Sequence, residues 1–302
     1  MKLHQLHALV GVVEHGSIRA AARAMHLSQA ALTKSLRQLE EEHGVALLMR
    51  RASGIQLTEA GQQLHVRAGL VVRQLELAGE ELRQAQGQGI GSVRLGLTPY
   101  LLLGSLGEAF QWFRKRYPQV TLSIVEGLVS RVVPGLRDGS IDFAVVADSG
   151  DLGTTEFERV HWLTERQHLV VRAGHPVLLQ ATSGRLRALE WVLPGPHATG
   201  LDESLLAMFA RAKVLPPELI TRCDALPALA LVRQSDAVTV MPAPLLAHPV
   251  GQGLVPLALR SLRPPSVDLV QISPAGVPLS PAAEYLARCI RDAALAASQT
   301  AH

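Results

Sequence analysis

The chain has 302 residues, of which 48% are hydrophobic and 18% charged, so it can bury a core and is not disordered. No apolar stretch reaches the roughly 18 residues that span a bilayer, the N-terminus lacks a basic-then-apolar signal pattern, and two cysteines are too few for a disulfide framework. We therefore expect a globular cytoplasmic protein with a small domain, a larger domain and a net charge of +3.

The first predicted elements form a helix-turn-helix. Small side chains in residues 20–24 let a second helix approach closely, and residues 26–28 make a tight connection. The Ser28 hydroxyl can cap the next helix, whose apolar residues share one face: Ala31, Leu32, Leu36 and Leu39. This second helix is the one that a helix-turn-helix offers to DNA.

A polar stripe occupies the opposite face of that helix. Its side chains are three and four residues apart and lie near the N-terminal end, where such proteins reach base edges: Gln29, Thr33, Lys34, Arg37 and Gln38. Gln29 can pair with adenine and Thr33 can contact a thymine methyl group. Lys34 or Arg37 can bind guanine or phosphate. The alternative is an ordinary solvated helix face.

A β-hairpin is predicted after the helix. Residues 45–57 contain two short apolar runs joined by a basic, glycine-containing turn. Beside a recognition helix, this hairpin would act as a wing, with Arg50 and Arg51 against phosphates or in the minor groove. We predict that DNA is bound by Ser28, Gln29, Ala30, Thr33, Lys34, Arg37, Arg50 and Arg51.

Charge is unevenly distributed along the chain. Residues 1–58 contain seven Lys and Arg side chains and four Glu side chains, a net charge of +3, whereas the remainder has 22 cationic and 22 anionic side chains. A positive segment of this kind attracts a phosphate backbone through counterion release. The distribution therefore predicts double-stranded DNA as a partner of the N-terminal segment.

Residues 58–87 are predicted to form one helix, which Thr58 can cap. Its apolar residues recur at alternating steps of four and three, as a heptad seam: Leu64, Ala68, Val71, Leu75, Ala78 and Leu82. Because nothing nearby in the chain supplies a partner helix, we predict homodimerisation through this seam. A helix packed on its own domain is the alternative. Gly87, Gly89 and Gly91 then predict a flexible joint.

Beyond the joint, strands alternate with helices. Strands are predicted at residues 93–97, 120–124, 141–147, 168–171, 191–193, 220–223, 237–241 and 267–273. Helices are predicted at residues 99–115, 130–137, 200–213, 226–234 and 280–297. This alternation predicts an α/β fold with a largely parallel sheet covered by helices on both faces.

Together the segments resemble the LysR-type transcriptional regulator family over essentially the whole chain. The strongest part is a set of matches at fixed spacing: Ala21-Ala22, Leu27-Ser28-Gln29, Ala31-Leu32, Leu39-Glu40, Gly44-Val45, Leu47-Leu48, Arg50 and Leu57-Thr58-Glu59-Ala60-Gly61. Ala30, Thr33 and Met49 depart from the family, which usually has proline, serine and an aromatic residue there. These departures leave the base preference open.

The resemblance implies three segments. They are an N-terminal winged helix-turn-helix (1–58), a long linker helix that pairs in a dimer (59–89), and a C-terminal two-lobed, periplasmic-binding-protein-like (type II) effector domain (90–302). Lobe I would comprise residues 90–162 and 267–302, and lobe II residues 163–266. Family members commonly assemble as tetramers, so a homotetramer is expected, and RNA polymerase is left open as a further partner.

In two-lobed open sheets, ligands bind beyond the carboxyl ends of the strands. At the first such end, the Thr98 hydroxyl and the outward-facing amides of Tyr100 and Leu101 would hold a carboxylate. At a second end, Arg131 could clamp an anion bidentately. We predict that a small organic acid is bound by Thr98, Pro99, Tyr100, Leu101, Ser130, Arg131, Ala147, His197 and Thr199. The alternative for Thr98 and Thr199 is that they only cap helices.

Other classes of function have less support. An enzyme is disfavoured because the sequence has no nucleophile elbow, no His-Glu-x-x-His helix and no phosphate-binding loop with its lysine. His4 and His7 lack a cysteine or carboxylate at the spacing of a metal site. A redox sensor would rest on Cys223 and Cys289, without a cation that clearly lowers the pKa of either thiol. A DNA-binding regulator that senses no small molecule stays open, and no cofactor is predicted.

Overall fold

The computed structural model describes residues 1–51, 54–86, 90–148, 156–195, 200–259 and 261–301. Its N-terminal part, which we call the head, contains three helices and a two-stranded hairpin: α1 (Leu3–Glu14), α2 (Ile18–Ala24), α3 (Gln29–His43), β1 (Leu48–Arg51) and β2 (Gly54–Leu57). Among the helices of the described residues, here and in the rest of the chain, none is both long and apolar enough to span a bilayer.

Helices α2 and α3 form the predicted helix-turn-helix. Ala21 and Leu32 are both buried in the core of the head, where the small alanine lets the two helices approach closely. His26 adopts a left-handed backbone conformation, with φ +54°, in the turn between them. The Ser28 hydroxyl accepts a hydrogen bond from the Ala31 amide at 3.1 Å and so caps α3.

The hairpin is tied to the recognition helix α3. Its strands β1 and β2 pair antiparallel, with Leu48 opposite Leu57. The Glu40 carboxylate of α3 accepts hydrogen bonds from the amides of Leu47 and Leu48 at 2.7 and 3.1 Å. Because a carboxylate with two amide donors is strongly held, these bonds fix the hairpin relative to α3.

A long helix, α4 (Glu59–Ala85), follows the head. The Thr58 hydroxyl accepts a hydrogen bond from the Gly61 amide at 3.0 Å, which is the predicted cap. At the N-terminal end of the apolar seam, Ala68 is buried in a cluster with Leu6 of α1. The prediction that nothing nearby supplies a partner was therefore wrong for this end, because the first helix of the same chain folds back onto it.

The C-terminal part of the seam is uncovered within the chain. Val71, Leu75 and Leu82 are 46%, 48% and 69% exposed, and Ala78 is exposed as well. These four residues follow the heptad spacing of the seam, so they lie on one face of α4. We call them the apolar stripe.

Among its described residues, the C-terminal domain contains eight further helices: α5 (Pro99–Gly104), α6 (Leu106–Arg116), α7 (Val129–Asp138), α8 (Ser183–Ala188), α9 (Gly200–Arg211), α10 (Ala225–Gln234), α11 (Ala243–Ala247) and α12 (Pro281–Ala301). Its strands are β3 (Gly91–Leu97), β4 (Val120–Glu126), β5 (Phe143–Asp148), β6 (Phe157–Glu165), β7 (Gln167–Arg172), β8 (Glu190–Pro194), β9 (Leu219–Cys223), β10 (Thr239–Pro242), β11 (Leu254–Leu257) and β12 (Val267–Pro274). Two short 3-10 helices lie at Pro176–Leu179 and Pro249–Gly251.

Lobe I is built on a five-stranded sheet with the order β4-β3-β5-β12-β6. β3 pairs parallel with β4 and β5, whereas β12 pairs antiparallel with β5 and β6. The prediction of a largely parallel sheet was therefore wrong for β12. This strand returns from lobe II without a crossover helix, and an antiparallel neighbour needs none.

Two elements of lobe I differ from the sequence-based prediction. The edge strand β6 was not predicted, because residues 158–161 are exposed and show no apolar alternation. The helix predicted at residues 99–115 is two helices, which meet at Ser105. Both differences arise where tertiary packing overrides the local pattern.

Lobe II contains the antiparallel sheet β10-β7-β11 and the parallel pair β8-β9. A parallel bridge between Trp191 and Val238 joins the two sets. Trp191 is fully buried, and its ring centroid lies 5.2 Å from that of Phe209. The chain enters lobe II at Arg166, between β6 and β7, and is back in lobe I at β12.

The linker helix α4 is docked on lobe I. A side chain at Gly69 would collide with the carbonyl oxygen of Asp138, so the two backbones lie closer than any other residue allows. Gly139 ends α7 with φ +75° and lies against Arg73 of α4. The predicted flexible joint includes residues 87–89, which lie outside the described residues.

A buried ion pair holds this docking. The Arg73 guanidinium donates from Nε and Nη2 to the two carboxylate oxygens of Asp142 at 2.8 and 2.9 Å, and the side chains are 4% and 5% exposed. Arg73 also donates to the hydroxyl and carbonyl oxygens of Ser92 at 3.1 and 3.0 Å. Burial alone would lower the pKa of Arg73, but the hydrogen bond and charge of Asp142 raise it. The guanidinium is therefore charged and fully engaged.

Removal of Arg73 should destabilise the protein, because Asp142 would stay buried with an unpaired charge. We expect Arg73→Met to lower the free energy of unfolding by about 3–5 kcal/mol, measured by urea titration with circular dichroism. Arg94→Met removes a more exposed pair with Glu76 and serves as the control, with an expected decrease of about 1 kcal/mol or less. Equal decreases in the two variants would contradict the role assigned to Arg73.

Candidate nucleic-acid interface and effector cleft

The predicted polar face of α3 is open to solvent. The exposed side chains on it are Ser28, Gln29, Ala30, Lys34, Arg37 and Gln38. Leu32, Leu36 and Leu39 are buried on the other side of the helix, whereas Ala31, which was predicted to share that face, is exposed. Thr33 is half-buried, and its hydroxyl donates to the Gln29 carbonyl at 2.8 Å, so its methyl group is what remains for a contact with a base.

Helix α2 carries two further exposed cations. Arg19 and Arg23 are four residues apart and therefore lie on one side of the helix. Together with Lys34 and Arg37 they make four exposed cations, none of which forms an ion pair with a carboxylate in the part of the chain that the structure describes. Arg19 and Arg23 were not predicted as site residues, although their spacing on a short helix was an available signal.

The predicted wing is a β-hairpin, and Arg50 and Arg51 belong to its first strand, β1. The side chains of both residues, and residues 52–53 at the tip, lie outside the described part of the structure. Their contact with phosphate or the minor groove therefore stays a prediction.

We define the cleft as the boundary between the lobes at the carboxyl ends of β3, β4 and β5 in lobe I and of β9 in lobe II. Thr98 and Pro99 lie where β3 meets α5. Thr98 is buried, its amide donates to the Val145 carbonyl at 2.8 Å, and its hydroxyl forms no cap hydrogen bond. The alternative that Thr98 only caps a helix is therefore wrong in this structure.

The first turn of α5 uses one of the amides that were predicted to face outward. The Leu101 amide donates to the Thr98 carbonyl at 2.9 Å, so the prediction that it points at a ligand was wrong. The reason is that the turn closes on itself within three residues. The side chain of Leu101 is fully buried in the core.

The side chain of Tyr100 is hydrogen-bonded to a buried carboxylate. Its hydroxyl donates to the Glu165 carboxylate at 3.0 Å, and Glu165 is fully buried at the end of β6. Burial and, second, the negative charge of Glu165 raise the pKa of Tyr100, so the hydroxyl keeps its proton and remains a donor. This pair lies beside the crossing at Arg166 and was not predicted, because no local spacing links the two residues.

Ser130, Arg131 and Ala147 are exposed at the other strand ends of lobe I. Arg131 contacts Glu126 at 3.4 Å in its own lobe and Asp224 at 3.2 Å in lobe II. The guanidinium therefore joins the lobes, and it still has N–H donors beyond these two contacts that an anion could use. The predicted residues His197 and Thr199 lie outside the described residues.

The described side chains give little support to redox sensing by cysteine or to metal binding. Burial and, second, the charge of Asp224 raise the pKa of Cys223, and burial raises the pKa of Cys289. A raised thiol pKa means less of the nucleophilic thiolate at neutral pH. Within the described ranges, no group of three or more His, Cys, Asp and Glu side chains could hold a metal ion.

Two family models match the chain. One is described as "Bacterial regulatory helix-turn-helix protein, lysR family" and matches residues 3–62, and the other as "LysR substrate binding domain" and matches residues 86–295. Among curated proteins, the uncharacterized HTH-type transcriptional regulator YdcI of Escherichia coli (strain K12) is 33% identical over 200 residues. The matched residues cover 66% of this chain and 65% of YdcI, so the chain spans just under two thirds of the length of that relative. The HTH-type transcriptional regulator PcaQ of Agrobacterium fabrum is 28% identical over 258 residues, 84% of this chain and 83% of PcaQ.

Solved structures share the fold along nearly the whole chain. A variant of full-length OxyR from Pseudomonas aeruginosa has a TM-score of 0.73 at 22% identity, covering 96% of this chain and 95% of that one. CbnR in complex with its target DNA has a TM-score of 0.65 at 24% identity, covering 97% and 100%. LysG from Corynebacterium glutamicum with bound effector Arg has a TM-score of 0.66 at 20% identity, covering 98% and 99%. These matches confirm the predicted α/β fold class, with an N-terminal helix-turn-helix domain and a C-terminal substrate-binding domain.

Proposed function

The chain belongs to the LysR family of bacterial transcriptional regulators, and from this premise we propose that it binds promoter DNA as a dimer or tetramer and responds to a small organic anion between its lobes. It is a DNA-binding regulator with an effector-binding domain, and it is not an enzyme. The observation that carries the proposal is the exposed polar face of α3, held by its cap and by the hairpin behind it.

The roles on DNA follow from the chemistry of this face. Gln29 lies in the first turn of α3, where a side chain can pair with the edge of adenine. Lys34 and Arg37 extend the same face and can neutralise phosphates or read guanine. Arg19 and Arg23 add positive charge on α2, which strengthens the attraction to the backbone without selecting a sequence.

Substitution of these cations should reduce the salt dependence of DNA binding. We expect Arg37→Ala or Lys34→Ala to weaken binding and to lower the slope of log affinity against log salt by about one for each phosphate that is no longer neutralised. Gln29→Ala should instead cost about 1–3 kcal/mol of discrimination at one base pair. Fluorescence anisotropy on a duplex selected from a random-sequence library measures both quantities.

The control for this experiment is Lys115→Ala, which removes an exposed cation of α6 in lobe I. It should leave the affinity and the salt slope unchanged. Wild-type slopes in the Arg37→Ala and Lys34→Ala proteins would refute the proposed use of α3.

Dimerisation is proposed through the apolar stripe of α4. Four apolar side chains at heptad spacing form a face that packs against a second α4 in the manner of a coiled coil. The head and lobe I cover other faces of the same helix, so this face is left for a second copy. A dimer of this kind presents two positively charged heads to the DNA.

A charge in the apolar stripe should separate the protomers. We expect Leu75→Glu to shift the protein from dimer or tetramer to monomer at micromolar concentration, as measured by sedimentation velocity. The control is Leu179→Glu, at a leucine of lobe II that is 92% exposed and lies outside the stripe. If the Leu75→Glu protein sediments like the control, α4 is not the dimer interface.

Assembly beyond the dimer, and binding to RNA polymerase, follow from the family rather than from the contacts described above. The sedimentation experiment also separates dimer from tetramer, because the two differ twofold in mass. A tetramer that becomes a dimer in the Leu75→Glu protein would indicate a second interface outside α4.

An effector site is proposed in the cleft. The Thr98 hydroxyl, which forms no cap, and the exposed Ser130 and Arg131 lie at the ends of the neighbouring strands β3 and β4. Two hydroxyls and a guanidinium provide the donors that a carboxylate needs. LysG, which shares the fold, has a small molecule bound as its effector. Redox sensing through Cys223 is less favoured, because the pKa of its thiol is raised.

Thr98→Ala tests the effector site. A thermal-shift screen of small organic acids first identifies a compound that raises Tm, and calorimetry then compares affinities. We expect Thr98→Ala to weaken binding about tenfold or more, since a hydrogen bond to a charged group contributes about 1.5–3 kcal/mol. Thr121→Ala, at an exposed threonine of β4, is the control. A screen without any binder would favour a regulator that senses no organic acid.

A further inference from the structure

Arg131 is shared by two carboxylates from opposite lobes. Its Nη1 lies 3.4 Å from an oxygen of Glu126, the last residue of β4, and its Nη2 lies 3.2 Å from an oxygen of Asp224, which precedes α10. Glu126 and Arg131 belong to lobe I, and Asp224 belongs to lobe II. The three side chains therefore meet only when the lobes are together.

Glu126 also faces the start of a lobe II helix. The amide of Ala225, in the first turn of α10, is near enough to the Glu126 carboxylate to favour its charged form. Asp224 occupies the N-cap position of the same helix, yet its side chain forms no cap hydrogen bond. A carboxylate of lobe I therefore lies at the N-terminal end of a lobe II helix, where backbone amides have no acceptor within the helix.

The charges in this group do not balance. Two carboxylates face one guanidinium, which leaves one negative charge in excess. The Glu126 side chain is only 17% exposed, whereas Asp224 and Arg131 are 54% and 52% exposed. The excess negative charge is therefore least favourable on Glu126, which has the least contact with water. One proton on the carboxylate pair makes the group neutral.

We infer that closure of the lobes takes up a proton on Glu126, which faces Arg131 and Asp224, so that the effector cleft responds to pH. The inference rests on the proposed function only for the statement that this cleft receives the effector. Closure and its pH dependence are properties of the chain alone, and they can be measured without any ligand.

The direction of the pH dependence follows from the environment of Glu126. Burial, and second the negative charge of Asp224, raise its pKa above the ordinary 4.5, while the Ala225 amide and the charge of Arg131 act in the opposite direction. These are the groups that face Glu126 from α7 and from the start of α10. The nearby Cys223 thiol has its own pKa raised, so it stays neutral.

Separation of the lobes returns Glu126 to water and its pKa to the ordinary value. The closed form therefore binds a proton more tightly than the open form, and a fall in pH through the raised pKa stabilises closure. A rise in pH leaves both carboxylates charged and favours opening. An effector that requires closed lobes should then bind with proton uptake, more tightly at the lower pH.

Hydrogen exchange of the full-length protein, without ligand, tests this inference. We compare exchange at about pH 5 and about pH 8, each corrected for the intrinsic rate, in the segments 126–131 and 223–226. In the wild type we expect protection of the segment with the Ala225 amide to be higher at the lower pH, by about twofold or more. Glu126→Gln, which resembles the protonated acid and keeps an acceptor, should give high protection at both values.

Two further variants keep the test decisive. Glu108→Gln makes the same chemical change at an exposed site of α6 and should keep the wild-type pH dependence. Asp224→Asn removes the repelling charge from lobe II, the second cause of the raised pKa of Glu126, and should weaken the pH dependence even if the Glu126→Gln protein does not fold. Wild-type protection that is equal at both pH values, or greater at the higher one, overturns the inference. Retention of the wild-type pH dependence by Glu126→Gln or Asp224→Asn overturns it too. Failure of the organic-acid screen would leave this result unaffected.

Discussion

The arrangement of the protein depends on the buried ion pair between Arg73 of the linker helix and Asp142 of lobe I. Both groups give up most of their hydration, and only bidentate geometry with additional hydrogen bonds offsets that cost. Gly69 and Gly139 let the two backbones come close enough for this geometry. Because rotation of α4 on lobe I would leave a buried charge unpaired, the linker helix and lobe I behave as one rigid unit.

Lobe II is joined to this unit at two places, because the chain enters it at Arg166 and is back in lobe I at β12. The buried pair of Tyr100 and Glu165 lies beside the first crossing, and Leu245 of α11 packs into the core of lobe I. A change in the angle between the lobes moves lobe II relative to the linker helix, and hence relative to the head that α4 carries.

Local features of the fold could be predicted from the sequence. The caps at Ser28 and Thr58 and the apolar face of α3 depend on neighbours within a few residues. The edge strand β6 and the break at Ser105 could not be predicted, because packing against β12 and α12 decides them. The candidate site likewise combines features that depend on neighbouring residues with features that depend on residues far away in the sequence. The position of Arg131 at a helix start follows from local pattern, but its partner Asp224 lies 93 residues away, and Arg73 and Asp142 are separated by 69.

The partners of Arg131 change what an anion can do in the cleft. A free guanidinium would bind a carboxylate directly, whereas this one already lies between Glu126 and Asp224. An incoming anion can use the remaining N–H donors of the guanidinium or replace one of the two carboxylates, and in the second case ligand binding breaks an ion pair of Arg131. When the guanidinium turns to the ligand, two carboxylates face each other without the cation between them. Closed lobes then favour a proton on Glu126, because it is the less exposed of the two neighbouring carboxylates.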